Sequence, residues 1–234
     1  MAAMILRAQG LTRHFGGLRA VDGVDFDLQQ GEIHALIGPN GAGKTTLVGL
    51  LAGRIVPQAG SIRLADRDIT ALPAHRRVQA GIAYTFQITS VFPRLSVFDN
   101  VALAVANLRD VPAALERVGL RALADQEAAT LSYGHQRLLE LAMGLALRPK
   151  VLILDEPTQG LAAGEIAGFM ALVRGLVPET SVLLIEHNMD VVMGLADRIT
   201  VLNFGTVLAR GSPAEIRADA TVQAAYLGTG NAAA

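Results

Sequence analysis

The 234-residue chain has no cysteine, which excludes a disulfide scaffold and a cysteine-ligated zinc site. Charge is scarce as well. Only 18% of residues are charged, 20 Lys and Arg against 21 Asp and Glu, and the net charge of −1 leaves no basic footprint for nucleic acid. Long apolar runs are missing too, although 51% of residues are hydrophobic and the mean hydropathy is +0.39. The longest uninterrupted stretches, such as residues 101–106 and 151–154, fall far short of the roughly 18 residues that span a bilayer. The apolar excess therefore belongs to a core or to docking surfaces. The opening Met-Ala-Ala-Met-Ile-Leu-Arg has too short an apolar run for a signal peptide, so the expected location is cytoplasmic. No internal repeat or heptad run is visible, and the length suits one substantial core, or a core with a smaller insert.

What the chain does have is the octapeptide Gly38-Pro39-Asn40-Gly41-Ala42-Gly43-Lys44-Thr45, which fits the phosphate-binding pattern G-x-x-x-x-G-K-[ST]. An apolar strand at 33–37 precedes it, and a helix over 46–52, closed by Gly53, follows. Gly38, Gly41 and Gly43 let the backbone turn its N–H groups inward, and the positive end of the helix dipole adds to their pull on a polyphosphate. Lys44 reaches the β and γ phosphates, the Thr45 hydroxyl is a candidate ligand of Mg²⁺, and Thr46 supports the phosphate. Around this loop, the alternating residues 5–11 and 21–28 predict antiparallel strands. Short apolar runs at 151–154, 182–185 and 199–202 each follow a helical stretch, the pattern of a parallel sheet buried on both faces. Between 91 and 147 the text turns helical, which predicts a helical subdomain inserted into an α/β core. The small residues at 228–234 predict a frayed end.

Residues 151–154 deliver Asp155 and Glu156 at a strand's carboxyl end, where open parallel sheets bind ligands. Asp155 is placed to hold the Mg²⁺ shell, and Glu156 to orient or deprotonate the water that attacks the γ-phosphate. Upstream, Ser132 reads as the N-cap of a helix that carries Leu138, Leu141, Ala142 and Leu145 on one face and ends before Pro149.

The heptapeptide Leu131-Ser-Tyr-Gly-His-Gln-Arg137 resembles the Leu-Ser-x-Gly-x-Gln signature of the ABC-type ATPases, and it precedes the Asp-Glu strand as it does in that family. The resemblance implies an α/β phosphate-loop core with an N-terminal antiparallel β subdomain and an inserted helical subdomain. The core covers about 1–87 and 150–228, and the helical part about 88–149. It also implies that Ser132, Gly134 and Gln136 meet the γ-phosphate of an ATP held by a second subunit. A helix N-terminus with a hydroxyl and a glycine amide suits that role. By the same resemblance, Gln87 senses Mg²⁺ and the attacking water, His187 contacts the γ-phosphate and helps position Glu156, and Phe15 stacks on adenine. The alternative for Phe15 is a core ring. One departure is Ala162, where the family usually has Asp after Gly-Leu. Tyr133 and His135 are bulkier than the common signature residues.

Finer wording, Tyr84-Thr-Phe-Gln87, Pro73-Ala-His75-Arg-Arg77, the stretch 185–192 and Ala225-Tyr-Leu-Gly228, is similar to the ATP-binding subunits of branched-chain amino acid importers. That implies ATP and Mg²⁺ as cofactors, a second ATP-binding subunit, transmembrane permease subunits, an external solute-binding protein met indirectly, and a peripheral place on the cytoplasmic face of the membrane. Importers of urea or amides share the wording. A soluble ABC ATPase acting on DNA or ribosomes, or an unrelated phosphate-loop kinase, fits less of it. In the loop 88–98, Val91, Phe92, Leu95 and Val97 either dock on a transmembrane partner or pack within the helical subdomain.

Overall fold

The computed structural model describes residues 3–85, 90–105, 107–177 and 179–227. Gln87 and residues 228–234 lie outside them. Strands β1 (Met4–Phe15) and β2 (Leu18–Gln29) pair antiparallel through a Gly16-Gly17 turn, and the expected strands 5–11 and 21–28 are their inner parts. With β4 (Ala59–Leu64) and β5 (Arg67–Asp68) they form a sheet of order β2-β1-β4-β5.

The second sheet runs β10-β9-β3-β8-β7-β6 and is built from β3 (Ile33–Ile37), β6 (Ile82–Thr85), β7 (Val151–Asp155), β8 (Ser181–Ile185), β9 (Arg198–Asn203) and β10 (Thr206–Gly211). All its pairings are parallel except β9 with β10. Its apolar runs are continuous because both faces are covered. Leu152, Leu154, Val182 and Leu184 pack toward α3 (Val97–Ala102), α4 (Val111–Arg117), α5 (Tyr133–Ala146) and α6 (Ala163–Leu176). The alternate residues Val151, Ile153, Leu183 and Ile185 pack toward α1 (Lys44–Leu51) and the antiparallel sheet. A smaller cluster joins Ile37, Val192, Ile199 and Ile216 beneath α7 (Met189–Leu195) and α8 (Pro213–Ala218), and α9 (Ala220–Leu227) adds Val222 to it.

Helix α1 begins at Lys44, two residues earlier than its sequence pattern suggested, and Gly53 behind it has φ of 76°. Its carboxyl end is held by Arg77 of α2 (Ala74–Ala80). This guanidinium is buried and donates to the carbonyls of Leu50 (2.6 Å), Leu51 (2.8 Å), Thr70 (2.9 Å) and Leu72 (2.9 Å). A cation at a helix C-terminus satisfies the orphan carbonyls and complements the dipole, and desolvation lowers the Arg77 pKa to about 10. The helix that carries the phosphate loop is thus pinned from behind.

His34, in the middle of β3, is fully buried, with Nε2 2.8 Å from Thr200 Oγ1 and its ring 4.8 Å from that of Phe26. Burial first, then the charges of Arg198 and Arg210, push its pKa down to about 3, with Asp27 pulling the other way. Glu32 Oε1 stands 3.8 Å from Nδ1, too far for a hydrogen bond, and a neutral ring forms no ion pair with it. Because the folded-state value lies below the ordinary 6.5, the unfolded chain takes up the proton first, so stability falls as pH drops below about 6.5. At pH 5.5 the loss from this group is about 1.4 kcal/mol. Urea unfolding of the parent and of His34→Gln at pH 7.5 and 5.5 checks this. The parent should lose about 1.4 kcal/mol more than the variant between the two, and equal losses refute it.

Candidate active site

The loops that leave β3, β7 and β8 meet at the carboxyl edge of the sheet. After β3, the loop passes too close to its neighbours for side chains. A Cβ on Gly38 would stand 2.3 Å from the Leu202 carbonyl oxygen, and one on Gly43, whose φ is 103°, 2.1 Å from that of Ala20. Gly43 caps α1 without a side-chain acceptor, so no capping side chain answers the first amides of the helix, which are the donors an anion needs. Ala42 donates its N–H to the Pro39 carbonyl (3.2 Å) and accepts from Gly205 N (3.0 Å), which ties the loop to the β9–β10 turn. Asn40 and Gly41 are exposed at the tip, and Thr45 is exposed on the first turn, with Thr46 half-buried beside it.

Lys44 Nζ donates to the carbonyls of Gly38 (2.6 Å) and Pro39 (3.0 Å). Burial lowers the pKa of its ammonium, while the charges of Glu156 and Asp155 act in the opposite sense. Asp155 closes β7 and is buried. Its Oδ2 accepts from the Tyr84 hydroxyl at 2.6 Å. Burial raises the Asp155 pKa and the neighbouring Glu156 charge adds to it, against the Tyr84 hydrogen bond and the charges of Arg54 and Lys44. A desolvated carboxylate of this kind is stabilised by a cation. The Arg54 guanidinium lies 5.1 Å from the centre of the Tyr84 ring, and burial raises the pKa of that phenol. Glu156 has φ of 49°, left-handed for a residue with a Cβ, and its amide donates to the Ile185 carbonyl at 2.8 Å. His187 Nδ1 stands 3.8 Å from Glu156 Oε1.

Other expected residues lie apart from this cluster. Ser132 does cap α5, accepting from His135 N at 3.2 Å. Gly134 lies under the Glu165 carboxylate, where an added Cβ would come within 2.3 Å of Oε1. Tyr133 covers Gly160 in the same way, and the Arg137 guanidinium lies 5.5 Å from its ring centre. Gln136 turns its amide inward, to the carbonyls of Ala128 (3.4 Å) and Leu131 (3.3 Å). Phe15 is a surface ring, 44% exposed, with the Arg13 guanidinium 4.8 Å above it, so the core reading of Phe15 does not hold. Ala162 sits at the N-cap of α6 with no side-chain acceptor, and only the reverse half of a capping box is made, from Ala162 N to Glu165 Oε2 at 2.8 Å. In the loop after 90, Val97 is buried and Val91 packs on the core, so the packing reading holds for those two, while Phe92 is 53% exposed.

The structure thus brings Lys44, Asp155, Glu156 and His187 to one place. Sequence reasoning did not single out Tyr84 or Arg54 for a role, or the contact of Thr158 with Glu186. Tyr84 pairs with Ile153 across the parallel ladder, and an aromatic hydroxyl one strand away from the acid was the available signal.

The glycine loop, the helix amides behind it and the acid-bearing strand define a phosphate-loop nucleotide-binding ATPase. The sequence matches the ABC transporter profile over residues 21–159, and a branched-chain amino acid ATP-binding cassette transporter profile over 206–232. The chain belongs to the ABC transporter family, as one of its ATP-hydrolysing subunits. It is 40% identical to the high-affinity branched-chain amino acid transport ATP-binding protein BraF of Pseudomonas aeruginosa, over 97% of this chain and 99% of that one. To the protein LivG of Escherichia coli, which has the same description, it is 39% identical over the same shares. A nucleotide-free ATP-binding cassette from an ABC transporter superposes with a TM-score of 0.89 at 27% identity, over 95% of this chain and 98% of that one.

Proposed function

We propose that this chain is one of two ATP-binding subunits on the cytoplasmic face of a membrane importer of branched-chain amino acids. The observation that carries the reading is the match of residues 206–232 to a branched-chain amino acid transporter profile, behind a site fit for nucleotide hydrolysis. Residues 38–43 and the first amides of α1 cradle the phosphates, Lys44 neutralises them, and Phe15 stacks on adenine. The Thr45 hydroxyl and the Asp155 carboxylate are hard oxygen donors suited to Mg²⁺, with Gln87 as a further ligand. Among the described residues no group of three His, Asp or Glu could hold an ion unaided, so a shared site with phosphate oxygens fits. Bound Mg²⁺ supplies charge neutralisation on the phosphates. Glu156 accepts the proton of the attacking water, and His187 orients Glu156 and the γ-phosphate. Ser132, whose hydroxyl accepts from His135 N and still has its own proton to donate, faces the nucleotide of the second subunit with Gly134 beside it, and Gln136, its amide turned inward to the carbonyls of Ala128 and Leu131, supports the turn that presents them.

The core, 1–87 and 150–228, does the chemistry, and the helical part, 88–149, meets the permease subunits, with Phe92 at the contact. Among the described residues no helix is long and apolar enough to cross a membrane, and the reading assigns attachment to the partners. An external binding protein selects the solute. The test is reconstitution of the chain with its membrane subunits and binding protein in vesicles, followed by uptake of leucine, isoleucine, valine, urea and short amides. ATP-dependent uptake of the three amino acids is expected. Uptake confined to urea or amides, or none from an intact complex, overturns the assignment.

A further inference from the structure

Glu186 follows β8 directly and is 1% exposed. Its carboxylate is held by two different loops. Oε1 accepts from Thr158 N at 3.1 Å and from the Thr158 hydroxyl, both on the loop that carries Glu156. Oε2 accepts from His187 N at 3.0 Å and Asn188 N at 3.2 Å, where Asn188 is the N-cap of α7. The Glu156 amide closes the same junction from the other side by donating to the Ile185 carbonyl. A buried carboxylate answered by backbone amides and a hydroxyl is an expensive way to hold a fold, and an apolar residue of similar volume packs without desolvating a charge. What the carboxylate gives that an apolar residue does not is a fixed geometry between two loops. Each oxygen must accept two hydrogen bonds, which an amide side chain with one oxygen cannot reproduce.

We propose that Glu186 is a positioning residue for hydrolysis, fixing the 3.8 Å relation between His187 Nδ1 and Glu156 Oε1 by tying the loops that carry them. Its four hydrogen bonds all go to the two loops, so it acts through them. The proposal rests on the reading of Glu156 as base and His187 as its partner, and it makes rate, not affinity, the quantity that depends on Glu186. Misplacing a reacting group by about 1 Å costs up to about 10²-fold.

The experiment is steady-state ATP hydrolysis by the assembled transporter carrying Glu186→Gln, Thr158→Val, His187→Ala, Glu156→Gln or the Glu186→Gln, His187→Ala pair. Glu186→Gln should lower kcat by about 10 to 100-fold with KM for ATP within about twofold. In the His187→Ala background it should cost no more than about threefold, because its effect passes through that ring. Thr158→Val keeps the charge and removes one donor, so it should show the same split between kcat and KM at smaller size. Independent, multiplying losses, or an unchanged kcat with a lowered melting temperature, would make Glu186 a fold staple and overturn the proposal. If Glu186→Gln does not fold, Thr158→Val decides alone, and a parental kcat there overturns it. Should Glu156→Gln and His187→Ala both keep the parental kcat, the reading of the site fails and takes the proposal with it. If both lose activity while the Glu186 and Thr158 variants do not, only the proposal fails.

Discussion

Glu156→Gln is expected to lower ATP hydrolysis by about 10² to 10⁴-fold, the usual contribution of a positioned general base. Nucleotide affinity should stay within about threefold of the parent, since Lys44, Thr45 and Asp155 are untouched. Glutamine has the same length and keeps a polar oxygen toward His187, which stands 3.8 Å away, so the substitution isolates the loss of charge and basicity. The amide of residue 156 still donates to the Ile185 carbonyl, so the turn after β7 keeps its anchor. With hydrolysis stopped and binding intact, the ATP-bound pair of subunits should accumulate. Sizing chromatography with ATP and Mg²⁺, with the cognate second subunit where one is needed, should show a larger species for the variant than for the parent. A normal rate, or lost nucleotide binding, would show that Glu156 is not the base.

For Lys44→Ala, we expect ATP affinity to fall by about 10² to 10³-fold and hydrolysis to become undetectable. Removing one partner of a buried charge pair costs about 3–5 kcal/mol, because the other charge is left uncompensated. Here the ammonium is half-buried, and two carbonyls of its own loop, Gly38 and Pro39, fix its direction. Burial lowers the pKa of that ammonium, and the charges of Glu156 and Asp155 oppose the shift. Equilibrium binding of ATP and a melting curve separate the outcomes. Parental affinity in a folded variant would remove Lys44 from the phosphate site, and a large loss of stability would assign the residue to the shape of the loop.

Strands β3, β7, β8 and β9 were legible because a strand covered on both faces must be apolar throughout, and a short unbroken apolar run has few other uses. Strands β4, β5 and β10 were not. Strand β10 mixes exposed and half-buried positions, β5 is two exposed residues, and β4 buries Ile62 and Leu64 but opens on Ala59-Gly60-Ser61, which gives no alternation to read. The phosphate loop and the Asp155-Glu156 pair were legible because their chemistry demands particular residues at particular spacing. Arg77 was visible only as part of a familiar phrase, since its partners are carbonyl oxygens, which every residue has. Tyr84 and Glu186 act on residues 71 and 28 positions away, across strand neighbours that the sequence does not name.

Glu156 holds its left-handed backbone at a cost of about 1–3 kcal/mol, which glycine or asparagine at the same place largely avoids. With Glu156 as the proposed base, turnover and heat tolerance therefore pull one codon in opposite directions. Laboratory evolution that rewards only survival of the fold at high temperature should keep collecting changes at position 156, and every such winner would be a sturdier protein that no longer works.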